Sequence, residues 1–186
     1  MLKRLFGRRS SANRIIVDHL YAKIVAAARQ PDLYSEWHVP DTPLGRFEMV
    51  GLHLFLILHR VRGEQGAIRD VAQDLTDEFF RDVEHSIREL GISDPGVPKR
   101  MKRLARMFYG RVVSYGDAID AGDRQSLADA IARNVQPDVD DWPEADRLAG
   151  YVMAAAEGLA ALTTDAILEG SAEFPAPLSA PGERSA

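Results

Sequence analysis

The sequence predicts an all-α fold: a single-domain helical bundle of about six helices with a disordered C-terminal tail. Three observations predict it. Apolar residues recur every three or four positions in each periodic segment, and no run alternates with period two. The stretch from Met49 to His59 carries no formal charge, which suits a helix at the centre of a bundle. Prolines, glycines and small polar residues fall where the periodic segments begin and end. A chain of 186 residues that is 46% hydrophobic can bury a sizeable single core.

The first helix is expected from about Ala12 to Arg29, with Ile16, Leu20, Ile24 and Ala28 on one face and Pro31 as its stop. The second runs from about Pro43 to Arg62. Thr42 offers a capping hydroxyl, and Pro43 fits the first turn because an amide there has no helical partner. The third, from about Gln65 to Leu90, spaces Ile68, Ala72, Leu75, Phe79, Val83, Ile87 and Leu90 along one stripe. Its far face offers Asp77 to Arg81 and Glu84 to Arg88 as i,i+4 pairs. Asp94-Pro95 or Val97-Pro98 opens a fourth helix to about Ala121, with Met101, Leu104, Phe108, Val112, Tyr115 and Ile119 inward. A fifth follows the Asp123 cap to about Val135, and a sixth spans about Glu144 to Leu168. The expected organisation is a basic segment at 1–11, a helical domain at 12–170, and a Pro/Ala/Ser-rich tail at 171–186 that holds too little apolar surface to order itself.

Composition removes several function classes. The chain has no cysteine, so thiolate catalysis, disulfides and cysteine zinc sites are excluded. No serine sits in a nucleophile elbow, and no glycine-rich phosphate loop or dinucleotide fingerprint is present. A net charge of -5 argues against a dedicated DNA binder. The longest apolar run, Met49 to Leu58, is half the roughly 20 residues that a spanning helix needs. The N-terminus lacks the apolar core of a secretory signal.

Four clusters are candidates for function. Asp41, Thr42, Arg46 and Glu48 gather around the Pro40 loop and are expected to form one hydrogen-bonded group, so that Arg46→Ala should loosen the domain. On the third helix Glu78, Asp82, His85 and Glu89 imitate half of a di-iron site, but a second carboxylate-x-x-histidine is missing and the face is the solvated one. His53 and His59 could face a haem or quinone, although a histidine in an apolar helix is more often a hydrogen-bonded core residue. No metal or cofactor is therefore expected. The strongest electrostatic signal is the fourth helix, where Lys99, Arg100, Lys102, Arg103, Arg106 and Arg111 occur with no acid between Pro95 and Gly116. The third helix holds seven acids against three bases from Ile68 to Leu90. Such asymmetry favours an anionic partner, whether lipid, ribosomal RNA or an acidic protein segment.

The N-terminal segment carries Leu2, Leu5 and Phe6 at helical spacing among Lys3, Arg4, Arg8 and Arg9. These seven side chains are the expected membrane contact. The segment should be loose in water, because short isolated helices are marginal, and should order on an anionic bilayer.

Taken together, Val39-Pro40-Asp41-Thr42, then Gly45-Arg46-Phe47-Glu48-Met49 and Leu52-His53, resemble the signature of the ubiquinol–cytochrome c chaperone family. So do Asp77-x-Phe79-x-x-Asp82, Arg88-Glu89-x-Gly91, Val97-Pro98-Lys99-Arg100 and Phe108-Tyr109-Gly110-Arg111, which follow in order. The similarity covers roughly Tyr21 to Leu168, and the chain looks like a bacterial relative without the long N-terminal extension of mitochondrial members. The resemblance implies a non-enzymatic assembly factor for cytochrome b, or another bc1 subunit, at the cytoplasmic face of the inner membrane. In the family's mitochondrial members the role also involves the ribosome. The alternative is a carrier of lipid, quinone or haem in an apolar pocket beside the second helix. A closed core would favour assembly, and a deep apolar pocket of hundreds of Å³ would favour the carrier.

Overall fold

The computed structural model describes residues 2–91 and 94–177, with side chains described for 13–91 and 95–177. Among the described residues eight α-helices follow one another: α1 (Leu2–Ala28), α2 (Pro31–Ser35), α3 (Pro43–Arg60), α4 (Ala67–Glu89), α5 (Val97–Asp120), α6 (Arg124–Val135), α7 (Glu144–Ala160) and α8 (Thr164–Leu168). A short 3₁₀ turn, Asp94–Gly96, leads into α5. No strand occurs among the described residues. The all-α expectation holds, and the six long helices fall where the periodicity puts them.

Helix α3 is the centre of the bundle and packs against α1, α4, α5, α6 and α7. Its start is the expected one. The Thr42 hydroxyl accepts the Gly45 amide at 3.1 Å, and Pro43 fills the first turn. From Met49 to Ile57 every residue except Val50 is buried. Helix α4 lays its stripe on α1 and α3, and Tyr21 of α1 donates to Asp82 of α4 at 2.8 Å. On the opposite side α6 and α7 pack closely, with Ala128, Ala145, Ala149 and Ala155 buried where they meet the core.

Four details differ from the sequence reading. Helix α1 begins at Leu2 and not near Ala12. A short helix is marginal as an isolated segment, whereas here the packed turns after Asn13 supply a nucleus onto which further turns add cheaply. The side chains of Leu2, Lys3, Arg4, Leu5, Phe6, Arg8 and Arg9 lie outside the described residues. On α4, Glu84 and Arg88 pair at 2.8 Å as expected, but Arg81 takes Glu78 and Asp77 instead accepts from Gln73 at 2.8 Å. The sixth helix breaks into α7 and α8 where the Thr163 hydroxyl caps Ala166 at 3.1 Å. Finally, Gly170 (φ 87°) turns the chain back, and residues 171–177 lie along the bundle with Ala172 buried and Phe174 half-buried. Ordered packing thus runs seven residues past the expected boundary, and residues 178–186 lie outside the described ones.

Candidate functional site

The loop before α3 is held from several sides. Val39 donates its amide to the Leu33 carbonyl at 3.0 Å, and Gln136 donates to the His38 carbonyl at 2.7 Å. His38 itself sits at φ 54°, a region few non-glycine residues adopt, with its ring 3.3 Å from Glu144. The Pro40 carbonyl accepts the Thr42 amide at 2.8 Å and rests against Gly45. A Cβ on Gly45 would lie 1.9 Å from that oxygen, so only glycine allows this approach.

The expected single cluster at this loop is two separate arrangements. Asp41 and Arg46 pair at 2.6 Å on the surface, both more than half exposed, and the Arg46 guanidinium holds the Asp41 carboxyl below its usual range. Glu48 faces the other way. Residues two apart on a helix point to different faces, so Arg46 and Glu48 cannot serve one group.

Glu48 is buried and meets Arg111 of α5 through two hydrogen bonds, Nε to Oε2 at 2.5 Å and Nη2 to Oε1 at 2.6 Å. Burial pushes the Glu48 carboxyl up to about 7, while the charge and hydrogen bonds of Arg111 pull it down. Arg111 therefore leaves the expected partner-binding set: it turns inward and ties α5 to α3.

His53 is fully buried. Its Nδ1 donates to the Met49 carbonyl at 2.7 Å, so Nε2 accepts the Tyr151 hydroxyl, also at 2.7 Å. Burial pulls its pKa down to about 4. Both ring nitrogens are engaged, which leaves none for a haem or metal. His59 lies 3.2 Å from Asp120, which also holds Arg62. Asp82 and His85 are occupied by Tyr21 and Glu89 respectively. Among the described residues no three such side chains converge on a common point.

What the sequence reading missed is a groove of about 870 Å³ between the start of α3, the second half of α4 and the first half of α5. Phe47 and Val50 of α3, Phe79, Val83 and Ile87 of α4, and Leu104 and Met107 of α5 form its apolar floor. Leu44 and Leu90 stand at its mouth, 43% and 57% exposed. Arg29, Arg46, Arg100 and Arg103 line the rim together with Asp41, Asp82 and Glu89. Its size is that of a ligand site, in the range of about 300–1,000 Å³. Its form is a trough open to solvent with a polar rim, and so neither the closed core nor the deep apolar pocket that would have separated the two readings. The signal for it lay in Leu90: the α4 stripe runs to the end of the helix, where no later described element covers it.

The basic residues of α5 divide three ways. Arg100 and Arg103 face the groove, Arg111 faces the core, and Lys99, Lys102 and Arg106 point to solvent on the outer side. Among the described residues, none of the five outside the core makes an ion pair.

Comparison with known proteins gives this arrangement a context. The family model described as ubiquinol-cytochrome C chaperone matches residues 35–174, which span the loop, the groove and the α6–α7 half. The ubiquinol-cytochrome-c reductase complex assembly factor 1 of Xenopus laevis is 25% identical over 140 residues, 75% of this chain and 70% of that protein. The Drosophila melanogaster assembly factor 1 is 23% identical over 168 residues, 86% of this chain and 64% of that protein. The crystal structure of the Cbp3 homolog from Brucella abortus superposes with a TM-score of 0.87 at 52% identity, over 95% of this chain and 98% of the other. With its ordered signature on one continuous helical fold, the chain belongs to the ubiquinol–cytochrome c chaperone family, whose members assist assembly of the bc1 complex.

Proposed function

We propose that this protein is a non-enzymatic chaperone that holds an apolar segment of cytochrome b, or of another bc1 subunit, during assembly, and that it does so in the α3–α4–α5 groove. Family membership supports the process, and the groove supports the mode. An open trough with an apolar floor can shield a segment that would otherwise aggregate, and it can release that segment without unfolding. The work is placed at the cytoplasmic face of the inner membrane. No described helix is long and apolar enough to cross a membrane, so attachment would be peripheral, with the basic N-terminal segment as its contact on anionic lipid. Ribosome contact belongs to the same reading through the outward bases of α5.

The volume of the groove supports a second reading, a carrier of lipid, quinone or haem. One experiment separates them. A photo-crosslinking residue is placed at Leu90 in the native membrane, and the adducts are analysed together with the small molecules that co-purify. Crosslinks to cytochrome b or a partner bc1 subunit are expected. Stoichiometric lipid, quinone or haem with no bc1 adduct would establish the carrier instead.

A further inference from the structure

Resting on the groove as the client site, the geometry points to the chemistry of what it takes: an amphipathic helix, engaged over about two turns, whose polar edge toward α5 is acidic. The floor has the form of two helix ridges. On α4, Phe79, Val83, Ile87 and Leu90 follow one another along one line, and on α5 Leu104 and Met107 do the same beside them. A valley between two helices is what a third helix packs into, ridges into grooves. Phe79 is fully buried beneath the groove, so the α4 line open to an occupant runs from Val83 to Leu90 and rises about 10 Å, two turns of a docked helix. Helix-in-groove recognition then reads apolar anchors at spacings of three and four.

Charge sets the rest. Of the carboxylates on the rim, Asp41 is paired with Arg46, whereas Asp82 accepts the Tyr21 hydroxyl and Glu89 lies beside the His85 ring, both on the α4 side. The rim arginines Arg29, Arg100 and Arg103 make no ion pair among the described residues. Arg100 and Arg103 stand one turn apart on the α5 wall, and Arg29 lies at the end of α1. A docked helix thus meets the unpaired guanidinium groups of Arg100 and Arg103 along its α5 edge, and these form bidentate hydrogen bonds to carboxylates. A segment edged with lysine or arginine, the usual flank of a membrane helix on the cytoplasmic side, is repelled. The groove selects against it.

The test uses the full chain, without lipid, and three labelled helical peptides of twelve to fourteen residues. They share one leucine face and differ only in carrying Glu, Gln or Lys on the polar edges. Fluorescence anisotropy at low salt should rank them Glu, Gln, Lys, with at least a tenfold gap between the first and last that narrows as salt is added. R100E/R103E should reverse the order. K99E/R106E changes net charge equally but on the outer side of α5, and should leave the order as it was. Equal binding of all three peptides would overturn the acidic-edge inference while leaving the groove as a client site. Reversal by K99E/R106E as well would reduce the effect to net charge and overturn it too. Failure of all three peptides to bind, with L44S/L90S no different from the unaltered chain, would overturn the groove reading itself.

Discussion

The two sides of α3 are built from the same materials and end differently. Toward α6 and α7 the core is sealed. His53 is bonded at both nitrogens, Trp142 donates to the Trp37 carbonyl at 3.0 Å, and Phe174 closes over the His53 ring at 5.0 Å. Toward α4 and α5 Phe47, Phe79 and Phe108 pack below the surface with Phe80 half-buried beside them, yet the apolar stripe continues outward to an open groove. What separates them is a cover. Residues 171–177 fold back over the sealed side, while no described segment crosses the other. An amphipathic stripe thus says that a surface wants covering; it does not say by what.

This contrast can be broken in graded steps. The largest effect is expected at the ion pair that ties α5 to α3. Arg111→Leu leaves Glu48 buried without its partner and should cost about 3–5 kcal/mol in urea unfolding. Unchanged stability would mean that α5 is held to α3 by the aromatic group alone. Next, on the sealed side, Leu148→Ala should cost about 2–5 kcal/mol, since the side chain is fully buried where α7 meets the core. Leu90→Ser, at the mouth of the groove, should leave the melting temperature alone and weaken client capture. If both lowered stability alike, the groove would be ordinary core.

The pH dependence sharpens the comparison further, because each side buries one titratable residue of α3. His53 is depressed to about 4 in the folded protein, from an ordinary 6.5. The unfolded chain therefore binds a proton first, and stability through this residue falls as pH drops from 6.5 to 4. Glu48 is raised to about 7 from an ordinary 4.5, so its contribution falls as pH rises across that interval. Denaturant titrations should show the two opposing limbs singly in the variants: His53→Gln removes the loss on acidification, and Glu48→Gln removes the loss on alkalisation. A variant that leaves its limb in place would assign that limb to another group. The smallest effect belongs to Arg46→Ala. The expectation that it would loosen the domain rested on a buried pair, and the pair with Asp41 is on the surface. Melting should be unchanged, as measured by circular dichroism.

Helix positions were legible because each long helix carries its own stripe and its own boundary residues. The Thr42 cap and the burial of α3 could be read directly from Thr42-Pro43 and the charge-free run after Glu48. Which acid would meet which base could not. Arg46 and Glu48 are neighbours in sequence and lie on different faces, whereas Glu48 and Arg111 are 63 residues apart and touch only because α3 and α5 pack together. The groove was legible only at Leu90, the end of the α4 stripe: Phe79 and Ile87 are core as they read, and the path of the later helices is what leaves Val83 and Leu90 uncovered.

The tie between Glu48 and Arg111 has a consequence for timing. Phe47, next to Glu48, and Met107, one turn before Arg111, both lie in the groove floor. The ion pair therefore ties the α3 and α5 parts of the groove together in the empty protein. In the proposed role, a groove braced in this way has no closing step, so capture proceeds at the rate of encounter and orientation. Release has no latch to undo either, and the time a segment stays is set by its own contacts. Passing a client onward then requires only a destination that binds the same apolar face more tightly.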